Sequence, residues 1–230
     1  MGNLAIIPAR GGSKRIPRKN IRDFLGKPII SYSIEAALES GLFEEVMVST
    51  DDEEIAEVAR KYGAKVPFFR SKENSDDFAT TASVLIEVLS RYEEFQRTFD
   101  NVCCIYPCAP LLNAKTLVAA YRNLLQGFDT VLPVVCFGFP IQRALKISGA
   151  QVFWESTEYA LKRSQDLEPR FHDCGQFYWF DAIEFKSNGA LITKNTGYIV
   201  LKDTEVQDID NEVDWQLAEL KYKLMHGMAN

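Results

Sequence analysis

Short apolar runs alternate along the chain with longer segments whose apolar residues recur every three or four positions. Leu4-Ala5-Ile6-Ile7 marks an opening strand over residues 3–8, stopped by Pro8. Residues 28–40 carry a helical pattern, with Pro28 suited to its first turn and Gly41 to its C-terminal cap. A strand over 45–49 precedes a helix over 52–62, whose apolar face is Ile55, Val58, Ala59 and Tyr62 and which ends at Gly63. Residues 65–69 read as a third strand, and residues 80–95 as a helix on Val84, Leu85, Val88 and Leu89. The run 101–106 is almost uniformly apolar, which predicts a strand buried on both faces. Asn113 caps a further helix to Leu125, Gly127 closes it, and 129–136 is the next buried strand.

Strands alternating with helices of this length imply an α/β architecture of βαβ units around a mostly parallel sheet. Such connections are right-handed, and a ligand is expected at the carboxyl ends of the strands. After Cys136 the alternation stops. Residues 137–175 hold a hairpin signal at Ser148-Gly149, aromatics such as Trp154 and Tyr159, and a polar run. They read as an insertion leaving the sheet of a single 1–230 domain. The pattern resumes at 176–180 and 198–201 and ends in a helix from about 212 to 225, capped by Asn211, with Val213, Leu217, Leu220 and Leu224 as its apolar stripe.

Composition narrows the function classes. A chain of 230 residues with 47% hydrophobic and 25% charged residues is ordinary globular protein. The net charge of −6 argues against nucleic acid as a partner. No apolar run approaches the roughly 20 residues of a membrane span, and the N-terminus lacks a secretory pattern, so a cytoplasmic protein is expected. The five cysteines include the adjacent Cys103 and Cys104 but no CxxC, which favours small buried side chains in a reducing compartment over a zinc site.

Against that acidic background, residues 10–20 (Arg10-Gly11-Gly12-Ser13-Lys14-Arg15-Ile16-Pro17-Arg18-Lys19-Asn20) hold five cations and no acid, directly after the first strand. Paired glycines let backbone N–H groups turn inward as an anion nest, and cations at both ends can clamp a polyphosphate. The spacing is neither that of a P-loop nor of a dinucleotide fingerprint.

This stretch, from Ala9 through Asn20, resembles the signature of the CMP-sugar synthetases, the acylneuraminate cytidylyltransferase family. Similar stretches continue at Val48-Ser49-Thr50-Asp51, at Arg70 with Thr80-Thr81, and over Asp208-Ile209-Asp210-Asn211-Glu212-Val213-Asp214. Phe139-Pro140-Ile141-Gln142-Arg143-Ala144-Leu145, residues 163–169 and His172-Asp173-Cys174-Gly175-Gln176-Phe177-Tyr178-Trp179 resemble the substrate-side segments of its pseudaminic acid branch. The resemblance implies a Rossmann-like, three-layer nucleotidyltransferase fold, with the insertion serving homodimerisation and sugar binding. It also implies transfer of CMP from CTP to the anomeric hydroxyl of an acidic nine-carbon sugar.

The implied nucleotide site consists of Arg10, Gly11, Gly12, Ser13, Lys14, Lys19, Asn20, Arg70, Thr80 and Thr81, with Arg10, Lys19 and Asp208 catalytic. Implied sugar contacts are Tyr106, Gln142, Arg143, Arg163, Gln165, Asp166, His172, Gln176 and Tyr178, arginine matching a carboxylate with two parallel hydrogen bonds. Asp208 and Asp210, two apart in extended chain, project to one side and suit Mg2+, which takes one or two carboxylates plus water and phosphate. On spacing alone, capping by Asp210 or Asn211 with Asp208 solvated is an equal reading; the resemblance favours metal. In many related nucleotidyltransferases an aspartate stands where this chain has Tyr106, so the metal is expected to lean on Asp208, Asp210 and the nucleotide. Rival readings are a sialic, legionaminic or Kdo-type acid as acceptor, or a non-catalytic CTP-binding regulator.

Overall fold

The computed structural model describes residues 2–228. The chain begins with strand β1 (Asn3–Pro8), a small hairpin of β2 (Asp23–Phe24) and β3 (Lys27–Pro28), helix α1 (Ile29–Ser40), strand β4 (Glu45–Ser49) and helix α2 (Glu53–Lys61). Helix α3 (Thr81–Glu94), strand β5 (Asn101–Ile105), helix α4 (Ala114–Leu124) and strand β6 (Thr130–Cys136) follow. The remainder comprises β7 (Leu145–Ser148), β8 (Gln151–Trp154), β9 (Phe171–Asp173), β10 (Phe177–Asp181), α5 (Ala182–Asn188), β11 (Thr196–Val200) and α6 (Glu212–Met225).

The central sheet runs β11-β6-β10-β5-β1-β4, with β9 added on β6. β4, β1, β5, β6 and β11 point one way, and β10 and β9 run against them. Side-chain alternation along the strands builds the three layers. Ala5, Ile7, Val46, Val48, Cys103 and Ile105 meet Ile30 and Ile34 of α1, Ile55 of α2 and Leu117 of α4. On the opposite face, Leu4, Ile6, Met47, Val102 and Cys104 meet Leu85, Val88 and Leu89 of α3 and Phe185 of α5. Adjacent Cys103 and Cys104 thus pack on opposite faces as free, buried thiols. A third cluster, of Ile16, Phe24, Ile29, Tyr32, Ile209, Trp215 and Ala218, ties the basic loop to α6.

Three expectations are corrected and one helix is added. Residues 65–69 form no strand: Lys65 makes a single bridge to Met47, and Pro67, without an N–H, cannot extend the ladder. The helix α5 escapes the periodicity because it is short, although Asp181 caps it by accepting from the Ile183 and Glu184 N–H groups at 2.8 and 2.9 Å. The stripe expected to bury α6 faces solvent, Val213 being 64% and Leu224 68% exposed. Trp215 and Ala218 are buried instead. Two apolar faces coexist on α6, and the aromatic one wins because Trp215 meets Phe24 edge-on at 5.6 Å and Tyr222 meets Tyr32 at 5.2 Å. Finally, the excursion after Cys136 is not outside the sheet throughout. The hairpin β7–β8 forms its own sheet, but β9 returns to pair Val134 with Asp173 and Cys136 with Phe171.

Candidate functional site

The carboxyl ends of β1 and β5 open into a cleft of about 420 Å³. Because β10 runs antiparallel to β5, its first residues lie at this same edge, with Phe177 opposite Ile105. One wall is cationic, made of Arg10, Lys14, Arg15 and Lys19 with Ser13 between them. Asp173, Gly175, Tyr178 and Asp208 also line the cleft, as do Tyr106 and Cys108 where β5 ends.

Each cation is held by backbone or carboxylate. Lys19 Nζ donates to the Ile209 carbonyl oxygen at 2.7 Å, which joins the basic loop to the segment between the two aspartates. Arg15 pairs with Asp210 at 2.6 Å. Arg10 and Lys14 reach across to Asp77. Asn20, buried beneath the loop, donates to the Arg10 carbonyl oxygen at 2.9 Å and accepts from the Cys108 thiol at 3.3 Å. Arg18 points elsewhere: it enters a short 3₁₀ turn in left-handed conformation and its guanidinium grips Asp52 and Glu54.

The paired glycines behave differently from the anion nest expected of them. Neither has a positive φ, the Gly11 N–H donates to Asp51 Oδ1 at 2.9 Å, and the Ser13 N–H donates to the Gly11 carbonyl oxygen at 3.0 Å. Gly11 is needed for closeness, since a Cβ there would stand 2.8 Å from Asp52 Oδ2. Ser13 lines the cleft and Gly11 and Gly12 do not.

Arg70 is buried, donating Nε to Ser49 Oγ at 3.1 Å and Nη2 to the Ser49 carbonyl oxygen at 2.5 Å; burial lowers its pKa. It braces the end of β4 rather than lining the cleft. Thr80 caps α3 by accepting from the Ser83 N–H at 3.1 Å, and Thr81 Oγ1 lies 3.5 Å from the Tyr106 hydroxyl.

Among the expected sugar contacts, Tyr106 and Tyr178 line the cleft, their rings edge-on at 6.1 Å. His172 lines an adjoining hollow that shares Asp173, Gly175 and Asp208 with the cleft, and its Nδ1 is 2.8 Å from the Asp173 carbonyl oxygen. Gln176 is buried and donates to the Glu205 carbonyl oxygen at 2.8 Å, a structural tie away from the cleft. Gln142, Arg143, Arg163, Gln165 and Asp166 lie on the excursion and do not line the cleft. Arg163 and Asp166 satisfy each other at 2.7 and 3.0 Å.

Asp173 lines the cleft, as do Arg15, Cys108 and Gly175, none of which is among the expected site residues. No local pattern marks Asp173, since residues 171–173 read as part of the excursion and reach the cleft only because β9 pairs with β6. The Asp173 carboxylate accepts from the Gly175 N–H at 2.9 Å and lines the same cleft as Asp208.

The acidic residues of the cleft fit a hard divalent cation. Enclosure by the surrounding chain pushes the Asp208 carboxyl above its usual pKa, and the neighbouring Asp210 pushes it further. That excess negative charge is what a cation relieves. Among the described residues no group of three or more His, Cys, Asp or Glu could by itself hold a metal ion. Burial raises the Cys108 thiol to about 12.

A family model described as cytidylyltransferase matches residues 4–208. Pseudaminic acid cytidylyltransferase of Campylobacter jejuni is 46% identical over 100% of both chains. CMP-N,N'-diacetyllegionaminic acid synthase of Legionella pneumophila is 34% identical over 94% of each. Among solved structures, CMP:2-keto-3-deoxy-manno-octonic acid synthetase complexed with CTP aligns over 100% of both chains, with a TM-score of 0.72 at 15% identity, a likeness of fold.

Proposed function

The chain belongs to the cytidylyltransferase family, and from that premise we propose that it joins CMP, taken from CTP, to the anomeric hydroxyl of pseudaminic acid. The observation that carries the reading is that Arg10, Lys14 and Lys19 line one cleft together with Asp208 at the carboxyl ends of the strands. The full-length identity to the Campylobacter jejuni enzyme selects the acceptor.

In this reading Arg10, Lys14 and Lys19 hold the triphosphate, and Ser13 adds a donor from the loop. The anomeric oxygen attacks the α-phosphorus, the bond from that phosphorus to the bridging oxygen breaks, and pyrophosphate departs. The hydroxyl proton leaves toward the acidic residues of the cleft, Asp208 among them. Such transfer is accelerated by positioning and by charge placed at the phosphoryl oxygens. Lys19, tied to the Ile209 carbonyl, would supply part of that charge. Asp208 and Asp210 would hold Mg2+, which when bound supplies charge neutralisation at the reacting phosphate. Asp210 already pairs one oxygen with Arg15, so Asp208 would be the principal ligand.

The acceptor half needs more than one chain. Leu145, Ile147, Val152 and Phe153 of the β7–β8 hairpin are all exposed apolar residues, which suits a homodimer built through the excursion. Arg143, Arg163 and Gln165 would then reach an acceptor from that interface. The free cysteines suit a reducing, cytoplasmic setting.

The deciding experiment measures pyrophosphate release from CTP and Mg2+ with purified pseudaminic, sialic, legionaminic and Kdo acids. Turnover highest on pseudaminic acid is expected. Preference for another acid overturns the acceptor assignment, and CTP binding without turnover on any overturns the enzyme reading.

A further inference from the structure

Arg10 and Lys14 stand on the cationic wall, yet both head groups are bonded to the segment that leads into α3. Arg10 Nη1 donates to the Asp76 carbonyl oxygen at 2.8 Å and lies 2.9 Å from Asp77 Oδ1. Lys14 Nζ pairs with Oδ2 of the same carboxylate. One carboxylate therefore bridges two cations of the basic loop.

The segment presenting that carboxylate is firmly built. Ser71 donates from N and Oγ to Glu87 of α3 at 2.7 and 3.0 Å, and Asn74 donates to the same carboxylate. Asp76 accepts from the Phe78 and Ala79 N–H groups, 2.8 Å each, closing the turn that carries Asp77 at its tip. Phe78 is 90% exposed, so its ring does not pin the tip; the bonds to Arg10 and Lys14 hold it. Lys14 and then Arg10 keep the Asp77 carboxyl below its usual pKa.

We propose that Asp77 is an internal anion that occupies Arg10 and Lys14 between turnovers, and that CTP enters by displacing it. The proposal rests on the reading that these cations grip the triphosphate. Exposed ion pairs like these are individually weak in water, whereas a triphosphate brings more charge and more acceptor oxygens to the same donors. The exchange therefore runs toward bound nucleotide. Apparent CTP affinity falls by the fraction of molecules in which Asp77 holds the cations. The same carboxylate competes with pyrophosphate for Arg10 and Lys14 after transfer.

The test is calorimetric titration of the full chain, in Mg2+, with CTP, inorganic tripolyphosphate and cytidine. Asp77→Asn and Asp77→Ala are expected to tighten CTP and tripolyphosphate about three- to tenfold, with no gain for cytidine. Lys14→Ala is expected to weaken CTP. Unchanged or weaker CTP binding in both Asp77 variants, alongside a weakened Lys14→Ala, overturns the role of Asp77 as an internal anion and leaves the nucleotide site standing. A gain extending to cytidine also overturns it, since that marks general loosening. Wild-type CTP affinity in Lys14→Ala removes the phosphate role of the cation, and the proposal with it.

Discussion

The basic-loop cleft and the excursion over residues 137–170 are both rich in charge, but they use it differently. In the cleft the charges are organised across long sequence separations, Lys19 against Ile209, Arg15 against Asp210 and Arg10 against Asp77, on a floor of buried strand ends. In the excursion the charged residues pair locally, Arg163 with Asp166 and Lys146 with Glu155, while apolar side chains face outward. A region that aims its charges across the fold is prepared for a ligand within one chain. A region that neutralises itself and exposes apolar surface is prepared for another surface.

The largest expected effect breaks the first region. Lys19→Ala should lower kcat/KM by about a hundredfold or more, as for loss of a charge placed at the developing phosphoryl charge, with circular dichroism unchanged. Activity near the wild-type rate would show that its bond to Ile209 is only structural. Asp208→Asn should lower kcat by about a hundredfold and shift the Mg2+ titration to higher concentration, while Asp210→Asn should cost less because Arg15 already holds that carboxylate. Equal losses would mean that the two aspartates share the ion evenly.

The second region is tested by placing charge on its apolar face. If the hairpin forms the proposed homodimer interface, Ile147→Glu with Val152→Glu should leave the chain monomeric in sedimentation, with about tenfold weaker use of the acceptor and CTP affinity retained. A dimer surviving both changes would move the interface elsewhere. Asp173→Asn, where the two regions meet, should raise KM for the acceptor several-fold, about 1 kcal/mol, without altering CTP binding. Weaker CTP binding would assign Asp173 to the nucleotide side.

The smallest effect on catalysis is expected far from both regions, at Glu45. Burial raises this carboxyl's pKa, but hydrogen bonds from Tyr92, Arg97 and Lys65 outweigh it and hold the group below its ordinary value of 4.5. A folded pKa below the unfolded one stabilises the protein fully above that ordinary value, and the contribution fades as pH falls through the folded pKa. Glu45→Gln should therefore cost about 2 kcal/mol at pH 7, and the gap from wild type should shrink in acid-unfolding curves below about pH 4. A gap independent of pH would mean that shape rather than charge makes the contribution.

Much of this was legible along the chain. Helix caps at Asn113, Asn211 and Gly41 and the bounds of β4 follow from local chemistry, and the structure keeps them. The acidic lining of the cleft was half legible: Asp208 carries a spacing signal with Asp210, whereas Asp173 joins it only because β9 returns to β6. The α6 stripe misled because two apolar faces satisfy the same period, and nothing local says which will meet Phe24 and Tyr32.

The sequence by itself determined the alternation of strand and helix, the site at the carboxyl ends of the strands, and a cation-rich loop able to meet phosphate. Periodicity, capping and the placement of charge are local properties, fixed by a few neighbouring residues. Only the tertiary structure decided that Gly11 serves close packing beside Asp52, that Arg70 braces β4, and that Asp77 bridges Arg10 and Lys14. Each of these depends on residues tens of positions apart, whose separation in space is set by how the layers stack.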